Sequence, residues 1–378
     1  MSDKYIAQGI ELLFLLSRVN PDATALAQAQ SFVRDLNWHT FASLAVKHGV
    51  ASLVYKNLLK LKDIPQETLA KFQGIYNNCL RSNVLMASEI DRIIDVLSSK
   101  DIEVVTLKGP VASEKMFGDI GLYPSDDIDI LAHVEDISRV RDILESEGYR
   151  LNDKGFDECR EFFLRELYHI SMSNGKYTIE PHWNLFMRYF TTPPEFWWEE
   201  SIVVSSAEKQ YRFLSPEKDI LYNSFRLFYK GFTPLRFLVF LTAIIEHYKN
   251  EINWEKLFKY ARRYYFESVL RVTMNLAHDL LSAPVPEHLR CIRGVKAKLL
   301  YSFVSGLILK AEDIAPSKKF MLAFLRDDLK GLFKIFLRRI FPSMGEIASR
   351  YKVTPGSGKA ITYYVMNPML ILLKRHRG

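Results

Sequence analysis

Cysteine is scarce in this sequence, and several familiar signatures are missing. The chain has 378 residues and three cysteines, which lie far apart at Cys79, Cys159 and Cys291. None belongs to a Cys-x-x-Cys pair, so the spacing excludes the usual zinc and redox motifs. We find no phosphate-binding loop, dinucleotide-binding glycine pattern or internal repeat. The cysteine content predicts a reducing environment, and we expect the protein to be cytoplasmic.

Long apolar runs are also absent. The two longest stretches are residues 235–245 and 361–373. Arg236 interrupts the first stretch, and Asn367 and Pro368 interrupt the second. Because a transmembrane helix needs about 20 consecutive apolar residues, the sequence predicts no transmembrane segment.

Positive charge is in excess, but only at one end of the chain. The formal net charge is +7, yet residues 321–378 alone carry 11 Lys and Arg against 3 Asp and Glu. Lys334 and Arg338 are spaced as in a basic amphipathic helix, which favours either an anionic partner, RNA or lipid, or a solvated surface. Three aromatic side chains in this helical pattern are expected to pack against the protein: Phe333, Phe336 and Phe341.

The apolar spacing divides the chain into four regions. Residues 1–100 carry apolar side chains at helical spacing, and the same spacing returns after the helix start at Ser215-Pro216-Glu217. Between these parts, β-branched runs of strand length alternate with helical segments. We therefore predict a helical N-terminal region (1–100), an αβ core (101–213), a helical C-terminal domain (214–320) and a basic C-terminal segment (321–378).

Strand and helix signals alternate through the αβ core. The predicted elements are, in order, a strand over 102–107, a helix over 111–117, a strand over 127–132 and a helix over 134–146. The clearest local signal is Asn174-Gly175, which lies between the strand-like runs 168–172 and 177–180 and predicts a hairpin. We therefore expect about four strands and at least two helices here.

Two acidic residues share one face of the second predicted strand. Asp127 and Asp129 are two positions apart, so their side chains project to the same side, while Ile128 and Ile130 project into the core. Two adjacent carboxylates repel each other, and a divalent ion with oxygen ligands removes that conflict. Taken alone, the pattern also fits a solvated strand start.

Two further features favour a metal and phosphate site. Lys108 and Gly109 occupy a strand-to-helix junction, where backbone N–H groups favour phosphate and a lysine adds positive charge. Glu180 supplies a third acid on the second strand of the predicted hairpin, with His182 on the same face. Each feature alone has an ordinary alternative, namely a loop, a solvent-facing acid or a packed histidine. Together they favour metal-assisted phosphate chemistry.

These motifs together resemble a family of uncharacterised bacterial nucleotidyltransferases, a branch of the DNA polymerase beta superfamily. The resemblance spans about residues 80–190 and rests on four segments in order: 104–109, 123–131, 145–149 and 178–185. They carry Lys-Gly after the first strand, an Asp-Ile-Asp strand, Gly-Tyr after the next helix, and a Glu-x-His-Trp segment. The helical remainder is similar more loosely.

The resemblance implies an α+β fold: a polymerase-beta-like nucleotidyltransferase core with a small mixed β-sheet, flanked by helical N-terminal and C-terminal regions. It also implies transfer of a nucleoside monophosphate from an NTP, such as ATP, to an acceptor, with release of pyrophosphate. By this similarity Asp127, Asp129 and Glu180 would be catalytic and would bind two Mg²⁺ ions, or Mn²⁺ in their place. Four residues would contact the nucleotide: Lys108, Gly109, Ser125 and His182.

One departure from the family pattern leaves alternatives open. Similar sequences commonly carry an arginine shortly before Asp-Ile-Asp, where this chain has Tyr123. A catalytically impaired nucleotide-binding protein is therefore one alternative. Another is a glycosyltransferase that binds a nucleotide sugar through Asp-x-Asp, although residues 1–100 lack the nucleotide-binding αβ half expected upstream. The pattern fixes neither the base of the NTP nor the acceptor, for which tRNA, a protein, an antibiotic and a sugar phosphate all fit.

Overall fold

A computed structural model of the chain describes residues 3–152, 156, 160–186, 190, 192–206, 209–310, 323–351, 353 and 356–374. Cys159 lies outside these residues. The other two cysteines, Cys79 and Cys291, are free thiols.

The N-terminal region consists of helices, as predicted. Five α-helices follow one another: α1 (Asp3–Leu16), α2 (Ala23–Phe32), α3 (Trp38–Lys47), α4 (Ala51–Leu58) and α5 (Gln66–Ser98). Asp22 and Asn37 precede α2 and α3, and each side chain accepts a hydrogen bond from a backbone N–H of the first turn. The long α5 buries one side through residues at helical spacing, including Ile90, Ile93 and Leu97.

The middle of the chain holds the strands. The described residues include β1 (Val104–Thr106), β2 (Ile128–Ala132), β3 (Arg150–Leu151), β4 (Met172–Ser173), β5 (Thr178–His182), β6 (Ile202–Ser206) and β7 (Lys209–Phe213). Helices α6 (Pro110–Phe117), α7 (Ile137–Ser146), α8 (Arg160–Glu166) and α9 (Glu195–Trp198) lie between them.

Five of these strands form one mixed sheet in the order β1-β2-β5-β4-β3. Strand β2 is antiparallel to β1 and parallel to β5, and β4 is antiparallel to both of its neighbours. Strands β6 and β7 form a separate antiparallel pair, and β7 packs beside β1. The predicted α+β class with a small mixed sheet is confirmed, and the polymerase-beta-like core stays a prediction.

Two local predictions in this region are confirmed. Every residue of β2 is buried, including Ile128 and Ile130. The hairpin joins β4 to β5, where Asn174 Oδ1 accepts a hydrogen bond from the backbone N–H of Tyr177 at 2.8 Å. Gly175 has a φ of +85°, a backbone conformation that glycine adopts without steric cost. The Asn-Gly pair therefore turns the chain as the sequence indicates.

Other boundaries differ from the predictions. The helix predicted over 134–146 begins at Ile137, because a turn comes first, in which the Asp136 N–H donates to His133 O at 3.0 Å. The short β3 and the β6–β7 pair were not predicted. Strand β3 has only two residues, too few for a readable alternation of apolar and polar side chains.

Five helices follow the sheet region: α10 (Pro216–Tyr229), α11 (Arg236–His247), α12 (Trp254–Arg263), α13 (Glu267–Leu281) and α14 (Val295–Lys310). Helix α10 begins at Pro216, directly after Ser215, as predicted. One apolar core extends from Ile10 to Ile335 and packs these helices against the sheet and the N-terminal helices. The four regional boundaries stay a prediction. Among the residues described, no helix combines the length and apolar character needed to cross a bilayer.

Three further helices are described near the C-terminus: α15 (Leu329–Ile340), α16 (Met344–Tyr351) and α17 (Gly358–Lys374). The predicted basic helix is present as α15. The expectation that its aromatic residues pack against the protein is wrong, since Phe333, Phe336 and Phe341 are 61%, 57% and 52% exposed. Ile335 takes the inward position instead, so helical periodicity turns Phe333 and Phe336 outward.

Candidate active site

Two parallel strands bring the predicted acids together. Asp129 on β2 pairs in register with Glu180 on β5, so the two side chains leave the sheet from neighbouring positions on one face. Asp127 immediately precedes β2 and, two residues from Asp129, projects to the same side. Asp129 is only 1% exposed, whereas Asp127 and Glu180 remain partly exposed. The three predicted acids therefore lie side by side.

Lys108 lies between two of these carboxylates. Its Nζ is 2.6 Å from Asp127 Oδ1 and 2.6 Å from Asp129 Oδ2. The Leu107 N–H donates to Asp129 O at 3.2 Å, which extends the pairing of β1 with β2 and places Lys108 beside the acids. Burial, and then the charge of Arg226, lower the pKa of Lys108 to about 8. The Lys108 ammonium group thus already balances the negative charge of the two aspartates.

The ionisation of Asp127 depends on its cationic neighbours. Burial alone would raise the pKa of Asp127, but the charge and hydrogen bond of Lys108 hold it below its ordinary value, with a further contribution from Arg226. Asp127 is therefore a carboxylate at neutral pH and can act as a ligand.

Two histidines flank Glu180. His182 Nε2 lies 2.9 Å from Asp129 Oδ1 and 3.9 Å from Glu180 Oε2. His169 Nε2 is also 3.9 Å from Glu180 Oε2, and the two imidazoles stack with centroids 4.9 Å apart. Burial lowers the pKa of His182 to about 3 and that of His169 to about 4, so both rings are neutral at pH 7. Neutral His182 can donate its Nε2 hydrogen to Asp129.

Three residues can hold a metal ion. Asp129, Glu180 and His182 each offer a ligand atom, and these atoms all lie within 4.8 Å of one another. The predicted set of Asp127, Asp129 and Glu180 shares two members with this group. Carboxylate oxygens suit Mg²⁺ and Mn²⁺, and neutral imidazole binds many divalent ions. Asp129 Oδ2 is buried and faces the Lys108 ammonium at 2.6 Å, so the donor set already accommodates a cation and fits a divalent one.

An open pocket adjoins these acids. Its empty volume, including the mouth, is about 430 Å³, and Lys108, Gly109, Ser125 and Asp127 line it. Gly109 has a φ of +97° and connects β1 to α6, in a backbone conformation that other residues rarely adopt. The Ser125 hydroxyl is buried and has no hydrogen-bond partner within the described part of the chain. Three of the four predicted nucleotide contacts therefore line this pocket, and the fourth, His182, contacts Asp129.

Three cations from the C-terminal helices line the same pocket, although the sequence did not identify them as site residues. Arg226 and Lys230 are one helical turn apart at the end of α10, and Arg236 begins α11. Arg236 donates to Asp126 Oδ2 at 2.8 Å. Among the described residues, neither Arg226 nor Lys230 has a carboxylate within 4.0 Å. Their i, i+4 spacing indicates a shared face but does not reveal what that face contacts.

Tyr123, which stands where similar sequences have an arginine, lines this pocket as well. Its ring packs inward, with centroids 4.8 Å from Phe240 and 6.1 Å from Phe117, and burial raises its pKa. The positive charge on this side of the pocket comes instead from Arg226 and Arg236.

The N-terminal helices support the pocket walls. Asn83 on α5 donates to Tyr123 O at 2.7 Å and so holds the loop before β2. His48 O accepts a hydrogen bond from the Arg236 N–H at 3.1 Å. Gly49 has a φ of +67°, and a Cβ atom at this position would lie 2.7 Å from Arg236 Cδ. The position of Arg236 therefore depends on the turn between α3 and α4.

A comparison with protein families identifies the group to which the chain belongs. The model of a family described as uncharacterised nucleotidyltransferases matches residues 34–282, which is more than half of the chain and includes every site residue named above. The chain belongs to this family, as the sequence motifs indicated. Membership implies a transferase with a nucleotide substrate at a general level. No curated protein and no solved structure gave a significant match.

Proposed function

We propose that this member of the family transfers a nucleoside monophosphate from an NTP to an acceptor, with divalent metal ions and release of pyrophosphate. The main support is the contact of Lys108 with both Asp127 and Asp129 beside a pocket lined by further cations. Carboxylates that need a cation thus adjoin a cavity that suits a polyanion. A metal–NTP complex has both of these charges.

In the proposed reaction, an acceptor hydroxyl oxygen forms a bond to the α-phosphorus of the NTP. The bond from that phosphorus to the oxygen bridging to the β-phosphate breaks, and pyrophosphate leaves with that oxygen. We assign the hydroxyl proton to Glu180, because its carboxylate is partly exposed and, among the described residues, its ion-pair neighbours are two imidazoles at 3.9 Å. Asp129 is less suited, since it is buried and already contacts Lys108 and His182.

In this proposal the acidic residues bind the metal ions. Asp127, Asp129 and Glu180 would hold the ions, and His182 would orient Asp129 through the 2.9 Å contact. Two Mg²⁺ ions, or Mn²⁺ in their place, would supply charge neutralisation for the attacking and leaving oxygens. Lys108 compensates the aspartates before metal binds and is then free to turn its ammonium group toward the phosphates.

In this proposal the residues that line the pocket bind the phosphates. Lys108, Arg226 and Lys230 provide positive charge, and the last two have no ion-pair partner to give up among the described residues. The Ser125 hydroxyl can donate a hydrogen bond, since it makes none within the protein in the described ranges. Phosphoryl transfer requires positioning and charge neutralisation more than a reactive side chain, so these residue types match the reaction.

The test is a transfer assay with the purified full chain. Each NTP, labelled at the α-phosphate, is incubated with Mg²⁺ and with tRNA, a protein mixture, an aminoglycoside or a sugar phosphate in turn. We expect label to pass to one acceptor class, and Asp129→Asn to stop the transfer. Asp142→Asn is the matched control, because Asp142 is an exposed carboxylate on α7 and is not among the residues that line the pocket.

Several outcomes would contradict the proposal. If no NTP binds in the presence of Mg²⁺, the assigned pocket has another ligand. Transfer of a sugar from a nucleotide sugar would favour a glycosyltransferase. NTP binding without transfer to any acceptor class, and unaffected by Asp129→Asn, would favour a nucleotide-binding protein without transferase activity.

A further inference from the structure

Helix α15 exposes its apolar side chains instead of burying them. Leu329, Phe333, Phe336 and Leu337 recur at i, i+4, i+7 and i+8, which places them along one face. Leu329 is 84% exposed, and the others are also exposed. Isolated exposed apolar residues are ordinary on protein surfaces, but a continuous stripe with two phenylalanines marks an interaction surface.

The orientation of α15 is fixed at its start. Asp328 Oδ2 accepts a hydrogen bond from the Gly331 N–H at 2.8 Å, and Asp327 N–H donates to Tyr265 O at 2.8 Å. Asp327 Oδ2 in turn accepts from the Ser268 N–H at 3.0 Å. These bonds tie the helix to the turn between α12 and α13. The outward direction of the apolar stripe therefore follows from how the helix is attached.

Positive charge lies directly beside this stripe. Lys330 and Lys334 are exposed, one turn apart, and neither forms an ion pair with any carboxylate in the described residues. Arg338 continues the row after another turn. The excess of 11 basic over 3 acidic residues in 321–378 extends the positive field over the whole segment.

Helix α17 presents a second exposed apolar row. Ile361, Val365 and Met369 recur every four residues and are all more than half exposed. The two helices meet where Asn367 Nδ2 donates to Ile340 O at 2.9 Å. Exposed apolar side chains and free lysines thus belong to one C-terminal unit, which we call the C-terminal surface: the apolar rows of α15 and α17 with Lys330 and Lys334.

We propose that the C-terminal surface binds an anionic lipid membrane, with α15 lying in the plane of the interface. Aromatic and aliphatic residues would enter the boundary between headgroups and acyl chains, while the lysines contact lipid phosphates. An anionic membrane matches both the positive charge and the exposed apolar side chains of the C-terminal surface. An RNA ligand would leave the aliphatic Leu329, Leu337 and Val365 exposed to water, and a second copy would place like charges opposite each other.

The test measures binding of the full chain to vesicles. Vesicles of phosphatidylcholine with phosphatidylglycerol are compared with vesicles of phosphatidylcholine alone, in co-sedimentation at increasing salt. We expect binding to the anionic vesicles only, weakening as salt rises. Replacing Lys330 and Lys334 by Gln should reduce partitioning about 30-fold, since each lysine near an anionic surface contributes about fivefold. Phe333→Ser with Phe336→Ser should reduce it by about tenfold or more.

Matched control variants lie in the N-terminal helical region, outside the C-terminal surface. Lys62→Gln with Lys71→Gln removes two exposed lysines, and Val84→Ser with Leu85→Ser removes two exposed apolar side chains from α5. We expect both controls to bind vesicles as the unchanged protein does. Thermal unfolding of each variant, followed by circular dichroism, shows whether it is folded before binding is compared.

Three results would overturn the proposal. The first is absence of binding to anionic vesicles, or equal binding to both vesicle types. The second is RNA binding that requires the lysines, tolerates the two Phe→Ser changes and occurs without vesicle binding. The third is a dimer in sedimentation analysis that dissociates on the two Phe→Ser changes and does not bind vesicles.

Discussion

The pocket beside β2 and the C-terminal surface both carry positive charge, but they carry it in opposite settings. Lys108 contacts two carboxylates and is mostly enclosed, whereas Lys330 and Lys334 have no acidic partner among the described residues and border exposed apolar side chains. An enclosed cation balances the negative charge of buried carboxylates, so its loss destabilises the folded state. An exposed cation beside apolar surface contributes little to folding and remains available to a partner.

The net charge of the chain conceals this difference. The +7 total combines the enclosed Lys108, which is paired with two acids, with surface cations that border apolar groups. The four predictions that follow test whether the two settings behave differently, beginning with the largest expected effect.

Replacing the enclosed lysine should strongly destabilise the fold. Lys108→Met leaves the buried Asp129 without its cation, so we expect the free energy of unfolding to fall by about 3 to 5 kcal/mol. Added Mg²⁺ should restore part of that loss if the acids bind metal. The matched change Lys334→Met on α15 should leave stability unchanged. Urea denaturation of both variants, with and without Mg²⁺, provides the measurement, and equal effects of the two changes would refute the distinction.

A buried acid on α10 should make stability depend on pH. Burial raises the pKa of Asp219 on α10 to about 7, against an unfolded value near 3.8. The folded state then holds one more proton than the unfolded state between these values, so this residue lowers stability as pH rises from about 4 to 7. Asp219→Asn should therefore stabilise the protein at pH 8 by roughly 2 to 4 kcal/mol, because each pKa unit corresponds to about 1.4 kcal/mol.

Unfolding at pH 4 and pH 8 tests this sign. The stabilisation by Asp219→Asn should disappear at the lower pH, where the carboxyl group is protonated in both states. Replacing an exposed acid, as in Glu135→Gln, should show no comparable pH dependence. A gain of equal size at both pH values would mean that packing, not charge, causes the effect.

The unpaired arginine of the pocket should act on nucleotide binding. Among the described residues, the Arg226 side chain donates a hydrogen bond to Asn223 Oδ1 and packs on the Tyr222 and Phe237 rings without an ion pair, so Arg226→Ala should leave the protein folded. We expect the KM for NTP to rise about 10-fold to 100-fold, which corresponds to one or two charge-assisted hydrogen bonds. Arg293→Ala, at an exposed position, should leave KM unchanged. A drop in kcat with constant KM would instead place Arg226 in the transition state alone.

Two glycines with the same backbone conformation allow the cost of backbone strain to be measured apart from a steric clash with Arg236. Gly49 and Gly118 both have a φ of +67°, but only at Gly49 would an added Cβ meet a neighbour, 2.7 Å away on Arg236. Both alanine variants should lose about 1 kcal/mol of stability. Only Gly49→Ala should also raise the KM for NTP, by about threefold, because it displaces Arg236 from the pocket wall. Equal kinetics in the two variants would show that Arg236 does not contact the nucleotide.

Much of the site could be predicted from the sequence because local rules govern it. The two-residue spacing of Asp127 and Asp129 and the Asn174-Gly175 turn each reflect backbone geometry that neighbouring residues determine. The place of Glu180 was predictable as well, but through the family pattern, since spacing alone does not reveal which strands pair.

Other site residues could not be found in this way. Arg226 and Lys230 lie at the end of a helix that follows the sheet in sequence, and only tertiary packing brings that end beside Lys108 and Asp127 at the pocket. His169 reaches Glu180 through an isolated β-bridge with His182. The outward face of α15 escaped prediction too, because periodicity identifies an apolar stripe but not the direction in which it points.

The parallel pairing of β2 with β5 makes the composition of the site depend on strand register. Asp129 and Glu180 lie opposite each other in the two strands, so a slip of two residues in β5 would keep the Glu180 side chain on the same face of the sheet. A slip of one residue, by contrast, would bring Ile179 or Pro181 opposite Asp129 and turn Glu180 to the other face. An insertion or deletion of one residue within either strand would therefore remove one of the acids from the site face, whereas a shift of two residues would only move that acid along the same face.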